Sequence, residues 1–118
     1  MVVTLYEYPK CNDCRKAKQW LEQKGVHYKT IHLAAEPPSL ENLRDLWLRS
    51  GLPIRDLFNS SGAAYQSGVY DWRLESMDED DALEELVANG MLIQRPILDN
   101  GKNVLVGFNE TTYQEIFG

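Results

Sequence analysis

The sequence predicts an α/β domain built on a four-stranded mixed sheet, with elements in the order β-α-β, a helical insertion over about 39–89, then β-β-α. Three observations carry this. A β-branched and aromatic run near the start gives way to a helical pattern and then to a second strand pattern. A Pro- and Gly-punctuated block with helical spacing follows. Near the end, Asn100-Gly101 stands between two short apolar runs, the strongest local hairpin signal.

Taken in order, Val2-Val3-Thr4-Leu5-Tyr6 reads as a buried first strand, and Pro9 breaks it. From Asp13 to Lys24 the pattern is helical: Cys14, Ala17 and Leu21 recur on one face among good helix formers, and Gly25 is the expected stop. Val26 to Leu33 reads as the second strand, with Tyr28, Thr30 and His32 on one face and His27, Lys29, Ile31 and Leu33 on the other. Pro37-Pro38 closes that unit. Ser39 is the expected N-cap of a helix carrying Leu40, Leu43, Leu46 and Trp47. Short helical pieces are expected through Phe58 and around Ala63-Ala64-Tyr65. Ser76-x-x-Glu79 fits a capping box opening a helix with Leu83, Leu86 and Val87 inward. Asn89-Gly90 ends it. Arg95 to Asp99 and Val104 to Val106 form the hairpin strands, with Lys102-Asn103 able to lengthen the loop, and Asn109 caps a last helix with Tyr113, Ile116 and Phe117. The first two strands, joined by a helix, are expected to be parallel. Together these pieces describe a thioredoxin- or glutaredoxin-like core with a helical insertion, one domain over 1–118.

The chain has 118 residues, 43% hydrophobic and 25% charged, enough for one core. No stretch reaches the roughly 18–20 apolar residues of a membrane span. The start has no basic region before Glu7, so the expected compartment is cytoplasmic, where thiols stay reduced. The net charge of −6 argues against direct nucleic-acid binding, which needs a basic face. The acids of Glu75 to Glu85 read as a solvated helix start. The three tryptophans and six tyrosines are expected in the core and at its rim.

Cys11-Asn12-Asp13-Cys14 holds the only two cysteines, at the junction of strand and helix. Two sulfurs at this spacing can close a disulfide, share a metal, or act as nucleophile and resolving partner. Cys11-x2-Cys14-x12-His27-x4-His32 matches a zinc-finger spacing. A finger, however, needs its histidines on one helix face, and here they lie on a strand where residues five apart point to opposite sides. No metal is expected. The redox reading has its own physical basis. A helix starting near Cys11 aims free N–H groups and a positive dipole end at that sulfur, worth roughly 0.3–1 kcal/mol on a surface and about 2 in good geometry. Lys10 and Arg15 add positive charge for the thiolate and for an incoming anion, while Asp13 opposes them. Cys11 is thus the expected attacker and Cys14, one turn in, the resolver. Arg95-Pro96 stands just before the hairpin, where thioredoxin-like folds place a cis-proline facing the active cysteine; an arginine there suits an oxyanion or a glutathione carboxylate.

Four pieces in order, Tyr8-Pro9-Lys10-Cys11-Asn12-Asp13-Cys14-Arg15-Lys16-Ala17, Phe58-Asn59-Ser60-Ser61-Gly62, Gly90-Met91-Leu92-Ile93-Gln94-Arg95-Pro96-Ile97 and Val106-Gly107-Phe108-Asn109, resemble the arsenate reductase (ArsC) / Spx family of thioredoxin-like proteins. The resemblance implies that Cys11 matches the cysteine with which glutaredoxin-coupled arsenate reductases attack the oxyanion, and that Arg95 matches one of their oxyanion-binding arginines. Those enzymes carry serine at the position of Cys14, and their two other arginines fall near Asn59 and Gly107, which supply no positive charge. Spx-type regulators keep a CxxC disulfide switch and bind the RNA polymerase α subunit; Val106-Gly107-Phe108-Asn109-Glu110 is similar to theirs, but the sequence stops at Gly118 without their longer basic tail. The resemblance is greatest to a short arsenate-reductase-like branch. It implies a thiol-disulfide oxidoreductase with a Cys11–Cys14 redox disulfide, Arg95, Lys10, Arg15 and Pro96 around the anion, no bound cofactor, and glutathione, glutaredoxin or thioredoxin as reductant. A redox-switched regulator contacting RNA polymerase α is the alternative.

Overall fold

The computed structural model describes residues 2–117; Met1 and Gly118, the ends of the expected domain, lie outside them. One of its two inner strands is Thr4–Glu7 (β1), followed by Asn12–Gln23 (α1) and Lys29–His32 (β2). The insertion holds Leu40–Ser50 (α2), Ala63–Ser67 (α3), Tyr70–Arg73 (α4) and Glu79–Ala88 (α5), with 3-10 turns at Ile54–Leu57 and Gly90–Leu92. Ile97–Asp99 (β3), Val104–Val106 (β4) and Glu110–Phe117 (α6) complete the chain. The four strands form one mixed α/β sheet in the order β2-β1-β3-β4. β1 runs parallel to β2 and antiparallel to β3, and β3 runs antiparallel to β4.

β1 starts two residues later than its apolar run suggests. Val2 is exposed, and Thr4 to Glu7 are all buried because β1 has a neighbour on each edge. The side-chain alternation of strands sorts the core onto two faces. Leu5 and Leu98 are paired in register and face Ala17, Trp20, Leu21 and Tyr113 of α1 and α6. Tyr6 and Ile97, the next pair, face Leu43, Leu46, Phe58, Leu83 and Leu86 of the insertion. Each fully buried Leu or Ile here contributes about 1.5–3 kcal/mol of transfer free energy.

Local chemistry ends the elements where hydrogen bonds can be satisfied. Gly25 (φ +72°) donates to Glu22 O at 3.1 Å and Val26 to Leu21 O at 2.9 Å, the paired bonds of a Schellman end. β2 is shorter than the Val26–Leu33 pattern because the first part of that segment is used by this turn. Ser39 and Asn109 cap α2 and α6 as expected. The cap of α5 is Asp78, whose carboxylate accepts the Asp81 N–H at 2.8 Å, and not Ser76. Ser76 is held in the preceding turn by Arg73 O, and a carboxylate suits the helix dipole better than a hydroxyl. The acidic first turn of α5 is exposed. The hairpin loop runs the full length Asn100 to Asn103, with Asn100 Oδ1 accepting the N–H groups of Lys102 and Asn103. No described helix is long and apolar enough to cross a membrane. Of the tryptophans, Trp20 is core but Trp72 is exposed.

Candidate active site

β1 stops at Glu7, and Tyr8-Pro9-Lys10-Cys11 turns the chain into α1, closed by Cys11 N–H donating to Tyr8 O at 3.0 Å. Proline's fixed φ suits the second position of such a turn. Cys11 thereby becomes the N-cap of α1, with extended φ −96° and ψ 122°. Its Sγ accepts the Cys14 N–H at 3.1 Å, the bond that Ser or Asp makes at ordinary helix starts. Charge developing on that sulfur meets an N–H donor and the helix N-terminus. Both cysteines are free thiols; Cys11 is partly exposed and Cys14 is buried. Burial, and then the hydrogen bond shared with Cys11, push the Cys14 thiol up to about 12, so at neutral pH it is held protonated. The two sulfurs are therefore chemically unequal: one is presented to solvent at a helix start, the other is a protonated reserve behind it.

The facing wall comes from the insertion and its return. Phe58 bridges Ile93, Asn59 N–H donates to Leu92 O at 2.8 Å, and Gln94 N–H donates to Leu57 O at 2.7 Å. This short ribbon brings Asn59 and Ser61 beside Gln94 and Arg95. A Cβ on Gly62 would lie 2.8 Å from Asn59 Nδ2, so a side chain there would push the Asn59 amide aside. Arg95 Nη1 donates to Met91 O at 3.0 Å and Ile93 O at 3.1 Å, and its guanidinium stands 5.2 Å over the Tyr8 ring. Among the described residues Arg95 has no acidic partner, and Nε and Nη2 have no acceptor. The Arg95–Pro96 peptide bond is cis.

Together these walls enclose an open cavity of about 410 Å³, with Tyr8, Lys10 and Cys11 on one side and Asn59, Ser61, Gln94 and Arg95 on the other. Asp13 also reaches its rim. A larger cavity of about 540 Å³ lies between Leu52, Phe58, Tyr65 and Gln94, but it contains no cysteine, and the chemistry selects the smaller one. Of the residues expected from sequence, Lys10, Cys11 and Arg95 meet in this cavity. Cys14 lies behind Cys11. Pro96 is buried beside the cavity without lining it. Arg15 is on the exposed face of α1, away from the lining. Tyr8, Asn59, Ser61 and Gln94 were not singled out by sequence as site residues, though all four fall inside the family-like segments. His32 Nδ1 accepts the N–H groups of Ala34 and Ala35 at 3.1 Å each, a turn-capping role, and no group of three metal-ligating side chains exists among the described residues.

The ArsC family model matches residues 6–116. The uncharacterised protein YusI of Bacillus subtilis is 46% identical over 115 residues, 98% of each chain. The global transcriptional regulator Spx of Listeria innocua is 31% identical over 109 residues, covering 92% of this chain and 82% of the regulator. Among solved structures, an ArsC-family related protein from Bacteroides fragilis superposes with a TM-score of 0.95 at 32% identity, over 98% of each chain.

Proposed function

This chain belongs to the ArsC family, and we propose that within it the protein is a thiol-disulfide oxidoreductase with Cys11 as nucleophile and Cys14 as resolving cysteine. The observation that carries this reading is the inequality of the two sulfurs: an accessible Cys11 Sγ with an N–H donor, and a buried, protonated Cys14. Cys11 thiolate attacks a disulfide RS–SR′, forming a Cys11–SR bond and releasing R′S⁻. Cys14 then loses its proton and attacks Cys11 Sγ, releasing RS⁻ and leaving an internal disulfide. Glutathione, glutaredoxin or thioredoxin, thiols of the cytoplasm, reduce that disulfide. Arg95, with Lys10, holds an anionic group of the substrate such as a glutathione carboxylate. Among the described residues Arg95 is the only guanidinium lining the cavity, and its neighbour on the same wall, Asn59, is neutral, which favours a disulfide over arsenate as substrate.

The test is turnover of a small disulfide beside arsenate, each with glutathione and glutaredoxin. Cys11→Ser is expected to abolish turnover and Cys14→Ser to accumulate a mixed disulfide visible by mass. Full activity in Cys11→Ser overturns the assignment, and arsenate turnover matching that of the disulfide restores the oxyanion reading.

The relationship to Spx over 92% of the chain supports a second reading, a redox-switched regulator that contacts the RNA polymerase α subunit. Purified α subunit binding the oxidised but not the reduced protein would favour it; equal absence of binding by both, with thiol turnover present, favours the enzyme.

A further inference from the structure

The turn between α3 and α4 is strained. Val69 adopts φ +51° and ψ 40°, and among the described residues it is the one non-glycine with positive φ. A β-branched side chain makes that conformation costly, and glycine would relieve it. Gly68 stands one position too early to do so; it serves packing, since a Cβ there would lie 2.4 Å from Tyr70 Cε2. The turn is nevertheless closed. Val69 N–H donates to Gln66 O at 3.2 Å, and Val69 O accepts from the N–H groups of Trp72 and Arg73 at 3.2 and 3.1 Å. Backbone kept in such a state against its side chain's preference clusters at functional sites.

The same turn holds apolar surface in water. Val69 is 58% exposed, and Trp72, three residues on, is 76% exposed. Residues three apart on a helical turn are neighbours. Single exposed apolar residues are ordinary, but these two line one cavity of about 310 Å³ together with the buried Tyr65 and Tyr70. Tryptophan in such a setting is a frequent binding anchor.

This cavity adjoins others in series. Tyr65 and Asp71 line both it and the cavity of about 540 Å³ at Phe58, and Gln94 lines both that larger cavity and the Cys11 cavity. The three form a track over the insertion from Cys11 to Trp72. Its middle cavity is roughly 10 Å across, the span of about three extended residues. A small disulfide fills only the Cys11 end. The middle carries charge of both signs, with Arg55 beside Asp56 and Asp71, so it suits backbone and polar side chains and favours neither sign. Selection is left to the two ends: Arg95 for an anion beside the sulfur, and Val69 with Trp72 for an apolar group.

We propose that the disulfide favoured by this site is carried on a polypeptide, whose extended chain follows the track and seats an apolar side chain, about four to six residues from its cysteine, on Val69 and Trp72; this rests on the Cys11–Cys14 reading above. Cys11 thiolate bonds to the polypeptide's cysteine sulfur, and the other thiolate leaves with the electron pair of the broken S–S bond. Cys14 then gives its proton to solvent, bonds to Cys11 Sγ and releases the polypeptide as its thiolate.

The probe is a synthetic peptide of about twelve residues, long enough to span the track. It is mainly glycine and serine, with a glutamate beside one cysteine held as a mixed disulfide with nitrothiobenzoate. Attack by Cys11 on the peptide sulfur releases the coloured nitrothiobenzoate. One leucine is moved stepwise from about two to about eight residues from the cysteine, on either side of it. The rate is expected to peak at about four to six residues, about tenfold above the leucine-free peptide. Trp72→Ala and Val69→Gly are each expected to lower the peak to the leucine-free rate. Both are expected to leave reaction with dithiobis-nitrobenzoate, which has no peptide chain, unchanged. Glycine accepts the left-handed backbone, so Val69→Gly removes the side chain and keeps the turn. Equal rates at every leucine position, or a peak that survives both variants, overturns the proposal. A patch covered instead by a second copy of this chain would show as a changed mass in solution for Trp72→Ala with no leucine peak to lose, which also overturns it. Failure of the Cys11–Cys14 reading looks different: the peptide would stay attached to Cys11 in the wild type, as it is expected to in Cys14→Ser, at every leucine position.

Discussion

At the end of the sheet where β1 begins, Arg49 is enclosed by acids. It donates through Nη1 and Nη2 to the two oxygens of Asp99, at 2.7 and 2.9 Å, and through Nε and Nη2 to Asp45. At the end where β1 stops, Arg95 is fixed just as firmly, by two backbone carbonyls and the face of Tyr8, yet no carboxylate meets it. Arg49 ties α2 to the hairpin and has nothing left to offer. Arg95 is positioned by neutral groups, so its charge stays available to a ligand. Residue type and order are shared by the two; whether the counter-charge is built in separates a brace from a binding group.

Breaking this contrast begins with Arg49. Arg49→Ala leaves Asp99, a mostly buried carboxylate, without its fork, and is expected to lower unfolding free energy by about 2 kcal/mol while leaving thiol chemistry unchanged. Chemical denaturation and a disulfide turnover assay read the two quantities separately. Arg95→Met is expected to do the reverse, slowing reaction with anionic oxidised glutathione by about tenfold and with a neutral disulfide little, at a stability cost of about 1 kcal/mol.

The contrast also sharpens with pH. The Arg49 hydrogen bonds hold the Asp99 carboxyl below its ordinary range, so the pair's contribution is fully present above about pH 4 and is lost as pH falls through and below it. Acid titration of the unfolding midpoint is expected to show this loss in the wild type and a flatter profile in Arg49→Ala. The smallest effect is reserved for a third arginine: Arg44 meets Asp80 at 3.1 Å with both side chains well exposed, and Arg44→Ala is expected to change stability by no more than about 0.5 kcal/mol.

The sequence makes legible whatever depends on neighbours in the chain. Element order follows from periodicity, the C-terminal end of α1 from Gly25, and the inequality of the cysteines from their place at a strand-helix junction. The cap of α5 is harder because Ser76 and Asp78 both offer oxygens within reach, and only the preceding turn decides between them. Apart from Arg95, the far wall of the cavity is not legible from periodicity, and its residues show only as parts of the family-like segments. Asn59, Ser61 and Gln94 are polar residues in irregular segments more than thirty positions apart, joined by a ribbon between Leu57 and Gln94 that no local signal announces. Glu7 is missed for the opposite reason: it follows an apolar run and reads as the strand's solvent end, while its burial depends on Lys18 and the edge strand beside it.

That ribbon also divides ownership of the reaction. The sulfurs belong to the first helix, seated at the end of the sheet, and in the proposed reaction that frame fixes where electrons move. Asn59 and Ser61 of the facing wall belong to the insertion, anchored by backbone hydrogen bonds that are indifferent to side-chain identity. Exchanging side chains at 59 and 61 can therefore rewrite what the protein accepts without disturbing how it reacts, and selection can act on the two almost independently.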